Sequence, residues 1–421
     1  MEQRKSHLGL IITLILLVIV ALAAFWYFFI NKPTTNQNNG TDSSNSGFNP
    51  FGRPGNTQQG STDNTDTTPS NNNPVEVKIP TLRLLSATPI GGYGASTTAS
   101  TTLVHWVDRG RGNVLEAQGD TLTISTLSNT LLPRTYESAW NKNISGFIGS
   151  ILGDDNDTIS TVFATLIPHA TTTTSATPYE LRGKGLPEGI TTFAASPKKD
   201  KVFFFIIKDG RGVGYTAPLG GGSATQIFTT PITEVNVEWP EENTIAITTK
   251  GSAAQNGYLY FVNPKTGTWK KIIGPLPGLS ARISHDAKYA ILSVAGNGND
   301  VLTSIYTIAS STGNDAVIHT LADKCVWGNF YKNIVYCAVP YQPVPGTYPD
   351  DWYKGTLSTI DKIWEVNAST GEVHLISSVF EEAKTSIDAF NLGLDDKDNF
   401  LYFMNKRNLS FWSYDLVAGT K

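Results

Sequence analysis

The chain opens with an unbroken apolar run from Leu8 to Ile30. As a helix rising 1.5 Å per residue, the run is long enough to cross a hydrocarbon core of about 30 Å. Arg4 and Lys5 precede it and only Lys32 follows closely. The positive-inside bias therefore predicts a cytoplasmic N-terminus at 1–7, a single-pass transmembrane helix at 8–30 and an extracytoplasmic remainder. A cleaved signal peptide is the rival reading, because Ala21-Leu22-Ala23 has the small-x-small form of a cleavage site. Cleavage there would leave Phe25 to Ile30 as a free apolar N-terminus in water, whereas an uncleaved helix sets Trp26 and Tyr27 at the outer membrane interface, which favours the anchor. From Asn31 to Asn73 the apolar pattern vanishes, with Phe48 and Phe51 the only large apolar side chains. Nothing there repays the entropy of ordering, so a low-complexity flexible linker is predicted over 31–80, with a coil span of roughly 35 Å.

From residue 81 the pattern is that of strands. GYLYFVNPKTGTWKKI, SIYTIASSTGNDAVI and KIWEVNASTGEVHLI share an aromatic six residues before a Thr-Gly turn, which places Tyr260, Tyr306 and Trp364 in one role. Tyr215 and Trp412 extend the series, and the successive spacings of 45, 46, 58 and 48 residues match one four-stranded propeller blade. A second series precedes the first and includes FAASPKKDKVFFFI, ISHDAKYAILSV and CVWGNFYKNIVYCAV. Each member is a short strand, a polar turn and a strongly apolar strand, as the inner strands a and b of a blade should read.

The Ser-Pro-Lys-Lys-Asp-Lys and Ser-His-Asp-Ala-Lys turns resemble the Ser-Pro-Asp-Gly-Lys turn of TolB-like and WD-repeat-like β-propellers. The resemblance covers most of 81–417 and implies an all-β fold, not an activity; the full chain is also similar to membrane-anchored bacterial propeller proteins of no assigned activity. Counting a–b units predicts a seven-bladed β-propeller at 81–421. Leu82 to Thr88 is left over while the last blade ends after three strands, so pairing the two would close the ring and remove its exposed edges.

Outside 1–7 and the span lie 30 basic and 35 acidic residues, a net of −5, which argues against a nucleic-acid partner. The two cysteines, Cys325 and Cys337, fall opposite each other in a hairpin centred on Tyr331. An oxidising compartment permits a disulfide there, and two buried thiols are the alternative. Cross-strand neighbours can bond only as a closer, non-hydrogen-bonded pair.

Candidate chemistry is sparse. There is no Gly-x-Ser-x-Gly elbow, and nothing outside the ring remains to carry a hydrolase, so the reading leans against an enzyme and assigns no catalytic residue. The six histidines lack zinc-ligand spacing, and His105 reads as a packed core residue. Asp154, Asp155 and Asp157 read as a solvated turn, since the EF-hand spacing is absent. No metal or cofactor is expected.

Two features suit recognition. Gly110-Arg111-Gly112 and Gly210-Arg211-Gly212 are either plain hairpin tips or turns presenting guanidinium forks to a carboxylate or phosphate. The longest interruption of the repeat, PYQPVPGTYPDDWYKGTLST, joins strands b and c of the sixth blade. Its Tyr348, Asp350, Asp351, Trp352 and Tyr353 form either a recognition surface or a loop folded back over a neighbouring blade. All b–c loops emerge at one end of a propeller, so these residues, Arg111 and Arg211 should ring one opening. The chain thus reads as a membrane-anchored extracytoplasmic module binding an envelope protein or peptide. Carbohydrate or cell-wall binding is the alternative, and polysaccharide processing by carboxylates inside the ring comes third.

Overall fold

The structure is a computed structural model and describes residues 79–99, 101–169, 176–297 and 300–419. The N-terminus at 1–7, the span at 8–30 and the linker as far as residue 78 lie outside the described residues. Among those described, no helix is long and apolar enough to cross a membrane.

Seven antiparallel four-stranded sheets account for the strands. The first six take consecutive strands from 90–126, 135–185, 190–230, 235–277, 280–315 and 325–377, ordered from strand a to strand d. Neighbouring a strands touch one another, which sets them around a common axis. The seventh sheet combines Ala389–Leu394, Phe400–Asn405 and Phe411–Asp415 with Leu82–Ser86 from the other end of the domain. Leu82 pairs with Tyr414, Leu84 with Trp412 and, after a bulge, Ser86 with Phe411. The chain is a seven-bladed β-propeller closed by its N-terminal strand, as the repeat count predicts; that strand ends two residues before Thr88.

Each blade lies between two others, so its central strands must be apolar on both faces, and an unbroken apolar run replaces simple alternation. Lys201–Lys208 of blade 3 shows this. Val202, Phe204 and Ile206 pack with Ile148 and Phe163 of blade 2. Phe203 and Phe205, on the other face, pack with Val237, Ile245 and Ile247 of blade 4.

The repeated a–b turns have one physical basis. The Oγ of Ser196 accepts the N–H groups of Asp200 (3.2 Å) and Lys201 (3.0 Å), and that of Ser284 accepts those of Lys288 (3.2 Å) and Tyr289 (2.9 Å). Asn141 and Asp395 use side-chain oxygens in the same way. A short side chain with an acceptor is what the position requires. The second turn of the Thr-Gly series differs from the other two. Gly267 and Gly371 take φ of 70° and 79°, but in blade 5 Ser311 occupies the left-handed position at 55°, and Thr312–Asp315 is already strand d.

Cys325 and Cys337 pair directly across strands a and b of blade 6. Their Cα atoms are 4.1 Å apart, the close kind of cross-strand pair, and their sulfurs are bonded.

Candidate recognition surface

Strand order places the b–c loops and the d–a connections between blades at one end of the ring, and the a–b and c–d turns at the other. Arg111 and Arg211 are both exposed at the b–c end. Asp108 Oδ1 accepts the backbone N–H of Arg111 at 2.6 Å. Lys208 and Arg211 close a two-residue hairpin whose tip, Asp209 and Gly210, has φ of 51° and 70°, the pairing that a tight primed turn demands. Both arginines stand on hairpin tips of separate blades. Among the described residues, no hydrogen bond or ion pair links either one to the long loop of blade 6.

That loop, 341–360, folds back over the ring. A short helix, α1 (Asp350–Lys354), forms its centre. Asp350 accepts hydrogen bonds from Ser252 Oγ (2.8 Å) and the Ala253 N–H (2.7 Å) on blade 4. Trp352 Nε1 donates to Asp388 Oδ1 (3.1 Å) on the connection into blade 7, and Lys406 Nζ lies 5.0 Å from the Trp352 ring centre. Tyr353 donates to Asp323 (2.8 Å) on the connection into blade 6. Asp351 accepts the Thr347 N–H (2.8 Å), and Tyr348 donates to the Val344 carbonyl (2.8 Å). Tyr348 and Trp352 are each only 5 % exposed. These two aromatics hold the loop down; as folded, they are not the exposed anchors that the loop's composition suggested. Tyr353 stays 38 % exposed but spends its hydroxyl on Asp323.

Beside the loop lies a groove of about 400 Å³, lined chiefly by Val317, Tyr341, Pro343, Val344, Lys362 and Trp364. Its origin is topological. Strand d of blade 5 is only Thr312–Asp315 and pairs only with Ser304 to Thr307. The chain then leaves at Ala316, whose N–H bonds Thr303 O (2.9 Å), and Thr320 is pinned to Thr303 Oγ1 (2.8 Å). The face of blade 6 opposite lacks the cover that a full outer strand would supply. Val317 is 76 % exposed and Tyr341 50 %. Lys362 Nζ sits 4.6 Å from the Tyr341 ring centre, a cation–π contact that leaves the ammonium at the rim.

A second cavity of about 260 Å³ lies among the a strands of blades 3 to 7, with Trp239, Arg282, His285, Trp327 and Asn391 on its walls. Arg282 pairs with Glu238 at 2.8 Å, and Glu238 also accepts the Ile283 N–H at 2.9 Å. Both side chains keep some accessible surface, yet burial raises the Glu238 carboxyl above its ordinary range despite Arg282. His285 is held down at about 4 by burial first, then by Lys199 and Lys332. Trp239 Nε1 and Arg282 Nε are buried without an acceptor. These isolated charged residues bear no mark of the repeat, and only their place on strand a, just before the turn, could have flagged them.

The remaining candidates are structural in this fold. His105 is 7 % exposed and bridges the Ile144 carbonyl (2.8 Å) and Glu116 (2.7 Å). Asp155 accepts the Asp157 and Thr158 N–H groups and so closes its own turn. Among the described residues no cluster of His, Cys, Asp and Glu is arranged to hold a metal ion.

Fold and site define the class as a β-propeller. No family model matches the chain, and no curated protein matches it. Among solved structures it is similar to oligogalacturonate lyase from Vibrio parahaemolyticus, at 11 % identity over 78 % of this chain and 92 % of that one, with a TM-score of 0.49. It is similar also to the β-propeller domain of the Trilobed protease from Pyrococcus furiosus (11 %, 76 % and 94 %, TM-score 0.48). TolB from Acinetobacter baumannii matches at 12 % over 72 % of this chain and 59 % of its own length, with a TM-score of 0.40. At these identities the likeness is one of fold, and the seven-bladed assignment rests on the strand pairing itself.

Proposed function

We propose that this chain is a membrane-anchored, extracytoplasmic binding or scaffolding module whose b–c end recognises a protein or peptide partner in the cell envelope. The observation that carries the reading is the apolar groove between blades 5 and 6, where Val317 and Tyr341 stand exposed on a closed, rigid ring. Contiguous exposed apolar surface with a polar rim is the usual mark of a protein contact. Lys362 at the rim favours a partner segment that sets an acidic residue beside its apolar ones. Localisation follows from the sequence of Leu8 to Ile30, which supplies the membrane contact. In a crosslinking pulldown with the full chain in its native membrane, Val317→Asp is expected to reduce capture of the partner at least about tenfold, the loss of one well-packed contact plus a desolvated charge. Unchanged capture would remove the groove from the site.

A second reading draws on the axial cavity, where the Arg282 side chain keeps accessible surface. A guanidinium on a cavity wall suits an acidic saccharide from the cell wall. Calorimetric titration with acidic oligosaccharides separates the two, since only this reading predicts heat that Arg282→Gln abolishes.

A further inference from the structure

Beneath α1 lies a charged cluster that recognition does not use. Lys324, Asp361 and Asp388 are 1 %, 0 % and 0 % exposed. Lys324 Nζ is 2.7 Å from Asp361 Oδ2 and 2.6 Å from Asp388 Oδ1, with Thr359 Oγ1 at 2.6 Å and the Trp352 ring centre at 5.5 Å. One ammonium thus serves two carboxyl groups in a dry site, and the two groups are not equivalent. Asp388 is fully engaged: Oδ1 accepts from Thr359 (3.0 Å) and Trp352 (3.1 Å), and Oδ2 from Ser358 (2.9 Å) and the Thr359 N–H (3.1 Å). Asp361 Oδ2 accepts the Ala389 N–H at 2.7 Å, but its Oδ1 is buried with no hydrogen-bond partner. A buried oxygen with no donor is far better tolerated as the hydroxyl of a neutral acid than as part of a carboxylate. Burial accordingly raises Asp361 above the usual range even with Lys324 beside it, whereas Lys324 and the hydrogen bonds outweigh burial and hold Asp388 low.

We propose that Lys324 and Asp361 condense to an intramolecular isopeptide bond, with Asp388 as the proton relay. The ammonium gives one proton to the Asp388 carboxylate, and the freed Nζ attacks Cγ of the neutral Asp361 acid, whose Oδ2 is polarised by the Ala389 N–H. The Nζ–Cγ bond forms and the Cγ–Oδ1 bond breaks. Asp388 passes its proton to the departing hydroxyl, which leaves as water, and recovers one from the nitrogen as the amide forms. An ammonium, a carboxylic acid and a carboxylate become an amide, a water molecule and a carboxylic acid, so charge and protons balance and no oxidant or nucleotide is needed. Contact at hydrogen-bonding distance in a rigid, water-excluded site gives the high effective concentration that amide formation requires. The bond would tie the residue preceding strand a of blade 6 to the first residue of strand c, Asp361. Together with the neighbouring Cys325–Cys337 bridge, it would staple the one blade whose b–c connection is interrupted by a long loop.

The test is the mass of the purified, reduced full chain followed by peptide mapping. The expected result is a mass below that of the sequence by about 18 Da, one water, with no tryptic cleavage after Lys324 and a branched peptide joining Lys324 to Asp361. Lys324→Arg and Asp388→Asn should each restore the full mass. A folded, monodisperse wild-type chain with the unmodified mass and ordinary cleavage after Lys324 would overturn the proposal whatever the variants do, as would a branch at Asp388.

Discussion

At the scale of single residues, the fold imposes costs that one side chain can reveal. Ala287, in the Ser-His-Asp-Ala-Lys turn, has φ of 54°, and Lys199 in the matching turn of blade 3 has 52°; both adopt a left-handed conformation that glycine takes without strain. The turns hold because Ser284 and Ser196 satisfy the local N–H groups, and this is why the motif was legible in the sequence. Glu238 was not legible, since one acid on an inner strand has no periodic signature; only the fold brings Arg282 within 2.8 Å of it.

At the scale of elements, blade strands and the long loop differ in how far sequence reveals them. Lys201–Lys208 announces itself because both faces of a central strand must be apolar, whatever lies next to it. The loop at 341–360 does not. Its aromatics are equally consistent with an exposed platform or a buried plug, and the choice depends on Ser252, Asp323 and Asp388, far away in the chain. The groove was hidden for a similar reason: it arises from the shortness of strand d in blade 5, not from any motif. Since Trp352 is buried under two lysines and bonded to Asp388, Trp352→Ala should lower stability by about 3 kcal/mol or more, in line with truncation of a buried aromatic. Chemical denaturation measures this directly, and a change below about 1 kcal/mol, the range typical of surface substitutions, would mean that the loop does not pack on the ring.

At the scale of the whole molecule, closure is the organising feature. Leu82–Ser86 covers the outer edge of Phe411–Asp415, and Arg83 reaches on to the Gln118 and Gly119 carbonyls of blade 1. Deleting 81–89 should expose that edge, lower the melting temperature and promote association, whereas deleting 35–70, a polar stretch, should leave melting nearly unchanged. Equal effects from the two deletions would contradict the closure. Blade number and the closing strand were legible because seven repeats and one leftover strand admit few other arrangements. What the ring binds was not, because loop chemistry varies independently of the ring.

The central claim is that this ring recognises a protein partner through the groove at its b–c end. Photo-crosslinking decides it most directly, with a benzophenone amino acid placed at exposed Val317 or, in a second version of the full chain, at Lys198 among the a–b turns of the opposite end. In the native membrane, irradiation should yield a discrete protein adduct from position 317 and none from position 198. An adduct from position 198 alone would contradict the account.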